Sequence, residues 1–172
     1  KVLNHNTVIA IHQDDHKEVL IMGKGVGFGR KVAERIEVRP EDRLYSLQKY
    51  KERGGAKEII KSIAPEFLEL TNAVLDEAEK VFGKIDRMVL FPLADHIAFA
   101  VKRIQNHEQI SNPLTEDIRV LFHMEFKVAE SIRPLLKKQF QIDIEDDEIG
   151  YVALHIHSAI EDEKVSQAMQ MA

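Results

Sequence analysis

The chain has 172 residues, 44% of them hydrophobic, and a formal net charge of −5. It has no cysteine, which excludes a disulfide framework, a thiol nucleophile and cysteine-ligated zinc, and its longest apolar run, 89–94, is far too short to span a bilayer. The acidity taken whole argues against nucleic acid, yet residues 1–49 hold nine Lys/Arg against seven Asp/Glu and the remainder fifteen against twenty-two, so cations are enriched at the start.

Residues 1–47 read as a small antiparallel sheet. Lys1-Val2-Leu3 leads into the turn-type cluster Asn4-His5-Asn6, and Thr7–Ile11 is β-branched and strand-like. Gln13–His16 is a hairpin loop, and Glu18–Met22 is the next strand. A polar stretch broken by Pro40 follows, and Leu44–Leu47 closes the sheet. Four short strands bury little surface alone, so the unit is expected to dimerise. The chain opens inside a strand-like pattern, which places its natural start upstream. No basic-then-apolar signal opens it, and a cytoplasmic location is expected.

The segment Gly23-Lys24-Gly25-Val26-Gly27-Phe28-Gly29-Arg30 has glycine at every second position. Such a bare face lets another backbone approach closely, and Lys24, Phe28 and Arg30 suit a phosphate chain with exposed bases. A flexible turn between strands is the plainer reading. The dinucleotide fingerprint lacks its third glycine, the P-loop lacks its Gly-Lys-Ser/Thr, and an RNP1 box lacks its first aromatic.

Residues 49–56, with Gly54-Gly55, form a charged connector and the expected domain boundary. Helical period follows. Phe67, Thr71, Val74, Ala78, Val81 and Phe82 share a face entered through Pro65, and Leu90, Leu93, Ala94, Ile97, Val101 and Ile104 share another. Asn112-Pro113 is expected to open one long helix, with Ile118, Leu121, Phe122, Val128, Ala129, Ile132, Leu135 and Leu136 as its face and a kink at Pro134. Residues 143–147 start a last helix whose face is Ile149, Val152, Ala153, Ile156 and Ile160. Four main amphipathic helices imply a bundle, with 57–64 docking as a shorter segment. The fold class is therefore α+β: a four-stranded antiparallel sheet followed by an all-α bundle. The expected domains are 1–49, a linker 50–56, 57–163, and a tail 164–172.

Of eight histidines, His155-x-His157 would chelate a metal on a strand, but on a helix the two point ~200° apart. His96 lies between Leu93 and Ile97, and His155 between Val152 and Ile156. Each borders an apolar face, as a half-buried histidine satisfied by one hydrogen bond or as one held at an interface with a ring nitrogen presented outward.

Two sets of motifs converge on a family. Lys1–Asn6 with Met22–Phe28 resembles the co-antiterminator RNA-binding domain. Asp95-His96-Ile97-Ala98-Phe99-Ala100 and Glu148–Ile156 resemble the phosphotransferase-system (PTS) regulation domain that follows it. The chain thus resembles a BglG/LicT-type transcriptional antiterminator ending after its first regulation domain, nearest the glucose-permease branch.

The resemblance implies that the sheet domain acts as a homodimer on a leader-mRNA hairpin, preventing the terminator from forming. It implies RNA contacts from Lys1, Asn4, Asn6, Gly23, Lys24 and Phe28, with His5 where asparagine is common and Lys24 where some members carry arginine. His96 and His155 match the phosphorylatable histidines, modified by a PTS transporter or phosphocarrier protein. The chain is then a substrate of phosphoryl transfer and not an enzyme. No catalytic residue, metal, cofactor, DNA partner or membrane insertion is expected. Two other readings are a ligand-sensing bundle fused to a β dimerisation module without RNA, and a histidine phosphocarrier, which needs a histidine open to solvent at a helix N-terminus.

Overall fold

The β-branched stretches near the start form strands where the pattern places them. In the computed structural model, which describes residues 1–31, 34–47, 56–108 and 110–171, strands β1 (Val2–Asn4), β2 (Thr7–Ile11), β3 (Glu18–Met22) and β4 (Arg43–Ser46) form one antiparallel meander in sequential order. The β2–β3 register runs from Thr7↔Met22 to Ile11↔Glu18, and the β3–β4 register from Val19↔Ser46 to Met22↔Arg43. Side-chain alternation puts Val8 and Ile21 on one face, packed with Val26 and bordered by Ala10, Val19 and Ile36. Thr7, Leu20, Met22 and Tyr45 lie on the other face and are all buried. Both faces of the sheet therefore carry buried side chains, more than four short strands were expected to bury.

The chain divides into two compact units, Lys1–Glu69 and Leu70–Ala172. The expected Gly54-Gly55 connector lies outside the described residues, and helix α1 (Ala56–Ser62) follows it. Helix α2 (Pro65–Phe82) opens on proline, whose missing N–H has no intrahelical partner to lose there. A 3₁₀ turn (Arg87–Val89), capped by the Asp86 carboxylate on the Met88 N–H, leads into α3 (Leu90–Gln105). Leu90, Leu93, Ala94, Ile97 and Val101 of α3 are buried as their spacing requires.

The expected long helix after Asn112-Pro113 is instead three: α4 (Thr115–Leu121), α5 (His123–Ala129) and α6 (Ile132–Phe140). Phe122 leaves helical geometry at φ −120°, ψ 52°, and Leu121, expected on the buried face, is 72% exposed. Nor does Pro134 kink a helix. It sits in the first turn of α6, where no N–H is needed, and α5 has already ended one residue before Glu130, the carbonyl its ring would strike.

The last helix, α7, runs Asp146–Met171 with Asp146, Asp147 and Glu148 in its first turn, where carboxylates favour the dipole. Its N-terminus is tied to α4 through Asp147, whose oxygens accept from Thr115 Oγ1 at 2.6 Å and the Asn112 N–H at 3.2 Å. A Cβ on Gly150 would stand 2.8 Å from Asn112 Nδ2, so this contact needs glycine.

Candidate RNA interface and histidine cluster

The six residues proposed to face RNA do not lie on a face of the sheet. Five of them gather at one end of it, where the β1–β2 turn and the loop after β3 are hydrogen-bonded together. Asn4 Oδ1 accepts the Asn6 N–H at 2.9 Å, and Asn6 Oδ1 accepts the Gly25 N–H at 2.8 Å. The Asn6 and His5 carbonyls accept from the Gly23 N–H at 3.0 Å and the Gly27 N–H at 2.8 Å. Both asparagine oxygens thus hold the two loops together. Their Nδ2 groups have no partner among the described residues and are the donors left for a base edge or phosphate. Lys1 is exposed at the far end of β1, its carbonyl accepting from the Ile9 N–H at 2.7 Å, and is not part of the stitched turn.

The alternating glycines do not form an extended bare face. Residues 23–30 fold into successive turns, with the N–H groups of Val26, Phe28 and Arg30 donating to the carbonyls of Gly23, Gly25 and Gly27. Gly25 and Gly29 have φ of 73° and 69°, open to glycine at little cost. Gly23 and Gly27 are needed for another reason. A Cβ at Gly27 would lie 2.2 Å from the Asn4 carbonyl oxygen, and one at Gly23 would lie 1.8 Å from Asp42 Oδ1. The space the glycines leave is filled by the protein itself.

The turn presents Lys24 and Phe28 outward. Phe28 is 68% exposed, although a ring of that size is normally buried. Among the described residues its aromatic partner is His5, edge-on at 5.0 Å with an interplanar angle of 83°. Val26, between them, points inward and is buried.

Two residues that hold this turn escape sequence reasoning. Arg39 Nη2 donates to the Lys24 carbonyl at 2.7 Å and to Asp42 Oδ1 at 2.9 Å, and the Arg39 N–H donates to Asp42 Oδ2 at 2.9 Å. The Asp42 side chain has no exposed surface. Burial pushes its carboxyl up, but the Arg39 hydrogen bonds and charge outweigh that and hold it below the usual carboxylate range. The signal available was an acid three residues after an arginine, across a proline, in an otherwise solvated stretch.

In the helical unit, His96 on α3 and His155 on α7 face each other with ring centroids 5.3 Å apart, although 59 positions separate them in sequence. Tyr151 lies 5.7 Å from the His96 ring. His155 Nδ1–H donates to the Tyr151 carbonyl at 2.8 Å, which leaves the lone pair on Nε2. Burial pushes the His155 imidazole below its ordinary range, and the adjacent His96 adds to this against the hydrogen bond to Tyr151. The ring is neutral and nucleophilic at pH 7.

Beside His96 is Glu148, 1% exposed. Its Oε1 accepts from Arg103 Nη2 at 2.7 Å. Its Oε2 lies 3.4 Å from His96 Nε2, an ion-pair distance without hydrogen-bond alignment, and both atoms are otherwise unpartnered among the described residues. Arg103 also lies 5.6 Å over the Phe99 ring. The helical spacing of Glu148, Tyr151 and His155 puts the three on one stripe, and His96 and Arg103, two turns apart, share another. That spacing marks each stripe but not the Arg103–Glu148 pairing across them, which sequence reasoning missed. Both histidines sit in mid-helix and are half-buried, unlike the solvent-open N-terminal histidine that a phosphocarrier needs. Among the described residues no cluster of three or more His, Cys, Asp or Glu could hold a metal ion, and no helix is long and apolar enough to cross a membrane.

A sheet whose end presents an aromatic ring, a cation and amide donors, joined to a helical unit with facing histidines, defines a two-module RNA-binding regulator. Residues 1–54 match the CAT RNA binding domain, and residues 69–159 match the PRD domain. The chain belongs to the BglG/LicT-type transcriptional antiterminators of the glucose branch, a family of regulators and not of enzymes. It is 32% identical over 166 residues to the GlcA/glcB genes antiterminator of Staphylococcus carnosus (strain TM300), covering 94% of this chain and 57% of that protein. It is 28% identical over 165 residues to Protein GlcT of Staphylococcus aureus (strain Newman), covering 94% and 58%. The chain thus spans a little over half the length of these relatives. The crystal structure of GlcT CAT-PRDI superposes with a TM-score of 0.77 at 32% identity, covering 93% of this chain and 95% of that one.

Proposed function

We propose that this chain binds a hairpin in leader mRNA as a homodimer and thereby prevents an overlapping terminator from forming, in the cytoplasm and under control of the sugar phosphotransferase system. Residues 1–49 carry the RNA site and 57–163 the first regulation domain; the expected tail after 163 is a continuation of α7 as far as Met171. The carrying observation is the Phe28 ring, 68% exposed on a turn that its own chain holds rigid. Such a ring stacks an unpaired base, Lys24 neutralises phosphate, and the Asn4 and Asn6 Nδ2 groups read base edges or backbone oxygens. Gly23 acts by letting Asp42 reach the turn, and Lys1 contributes an outlying charge.

His96 and His155 accept phosphoryl groups from a PTS transporter or phosphocarrier. A phosphoryl group brings about −1.5 to −2 charges at pH 7. Next to buried Glu148 that charge is repelled, and Arg103 is the cation within the same network able to exchange its carboxylate for phosphate. Repulsion repacks α3 against α7, loosens or rearranges the dimer and lowers the RNA-competent population, whereas pairing through Arg103 would tighten the dimer and reverse the sign.

The test is a gel shift with a short imperfect RNA hairpin. Phe28→Ala weakens binding by about 1–3 kcal/mol, roughly 5- to 150-fold, and leaves thermal stability within about 0.5 kcal/mol because the ring is exposed. Unchanged affinity removes the stacking assignment. Failure of the wild-type chain to bind any such hairpin at low salt removes the RNA reading.

A further inference from the structure

The regulatory reading accounts for His96 and His155 and leaves His157 without a role. On α7, His157 points away from the facing pair, toward α5. Its Nδ1–H donates to Glu125 Oε2 at 2.8 Å, and its ring stacks on Phe122 at 4.0 Å with an interplanar angle of 25°. The His157 side chain is 28% exposed and that of Glu125 is 12% exposed. Nε2 has no partner among the described residues and is not among their buried unpartnered atoms, so it reaches solvent.

This is the arrangement of an activated acceptor. A carboxylate on Nδ1–H fixes the tautomer and leaves the Nε2 lone pair free. Phe122 on one face limits rotation of the imidazole. His155 is oriented in the same sense by a neutral carbonyl, so His157 has the stronger orienting partner of the two. The break between α4 and α5 falls at Phe122, and it is this departure from helical geometry that separates the ring from the α4 face.

We propose that His157 is a third phosphoryl-acceptor histidine of the helical unit, with Glu125 as its positioning residue, an inference that rests on the regulatory reading of that unit. The donor is a phosphoramidate-type phosphoryl compound, such as a phosphohistidine of another protein. His157 Nε2 attacks phosphorus, the P–N bond of the donor breaks, and the donor nitrogen leaves with its electron pair. The phosphorylated ring carries a positive charge on Nδ1–H, and the Glu125 carboxylate stabilises it through the existing hydrogen bond.

The experiment treats the full chain with potassium phosphoramidate at pH 8 and maps the phosphohistidines by mass spectrometry over time, in wild type, Glu125→Gln and His157→Asn. Ammonia is the leaving group in this reaction. The exposed His107 and His123, whose imidazoles have no partner among the described residues, give the background rate. The proposal expects His157 to be modified faster than both. It expects Glu125→Gln to slow His157 about tenfold while His107, His123 and the circular dichroism spectrum stay unchanged. Modification of His157 no faster than background, or at a rate indifferent to Glu125→Gln, overturns it. If His155 is modified and His157 is not, this inference falls and the regulatory reading stands. If neither exceeds background, both fall.

Discussion

Replacing each of the four loop glycines by alanine separates two explanations of why they are there. A Cβ at Gly27 lands 2.2 Å from the Asn4 carbonyl oxygen, and one at Gly23 lands 1.8 Å from Asp42 Oδ1. The carbonyl belongs to β1 and carries the β1–β2 turn, so it has little room to give. The Asp42 carboxylate can move only by abandoning its bonds to Arg39 inside a buried site. Overpacking of this kind costs about 1–3 kcal/mol, and Gly27→Ala belongs at the upper end because a backbone atom must shift. At Gly25 and Gly29 a Cβ meets nothing within 4 Å, and the cost is only the left-handed backbone, about 1–2 kcal/mol. The reduced freedom of the unfolded chain offsets about 0.4–1 kcal/mol at every position. Gly27→Ala is therefore expected at about 2–2.6 kcal/mol net and Gly25→Ala or Gly29→Ala at about 0–1.6. For a unit of this size 2 kcal/mol is roughly 8–16 °C in Tm. Thermal unfolding followed by circular dichroism, with a hairpin gel shift at 10 °C on the same samples, reads both effects. Equal melting temperatures for all four variants, with hairpin binding lost only at Gly23 and Gly27, would refute the packing argument and return those glycines to the RNA.

Two further predictions concern the helical unit. The folded-state His155 imidazole is held below its ordinary value of 6.5, so its contribution is complete above that pH and is lost as pH falls toward the lowered value. Tm should therefore drop between pH 7 and pH 5, and less so in His155→Asn; parallel slopes in the two proteins would contradict the assignment. Glu148→Ala removes the buried partner of Arg103 and is expected to cost about 3 kcal/mol in urea unfolding, against less for Glu148→Gln, which keeps a hydrogen-bond acceptor. An alanine variant as stable as wild type would show that Arg103 finds another partner.

Local pattern made the strands legible, because β-branched runs such as Thr7-Val8-Ile9 report their own conformation and β2 and β3 have the bounds expected for them. The same holds for α3; on α2 the expected face is buried at Thr71, Val74 and Ala78, but Val81 is 47% exposed and the fully buried Leu68 and Leu75 lie beside that face. What failed was any feature decided at long range. Periodicity continues through Phe122, but its ring is taken by His157, 35 positions away, and the helix breaks there. Glycine spacing of two left a bare face and a plain turn both open, and hydrogen bonds to Asn6 and His5 decide for turns. His96 and His155 were singled out as histidines bordering apolar faces. That they face each other, with Glu148 beside His96, depends on how α3 packs on α7, which no local pattern encodes. Arg39 and Asp42 were passed over because charged residues in a polar stretch read as solvated.

The central claim is that charge at the α3–α7 histidine pair controls hairpin binding by the sheet unit. Hairpin affinity and dimer mass should be measured together for His155→Asp, His155→Asn and wild type, in the full chain at fixed salt. The account predicts that the aspartate variant, with its added negative charge facing His96, binds the hairpin more weakly than the asparagine variant and forms less dimer or a dimer of different sedimentation. Aspartate and asparagine variants that match wild type in both affinity and dimerisation would contradict it.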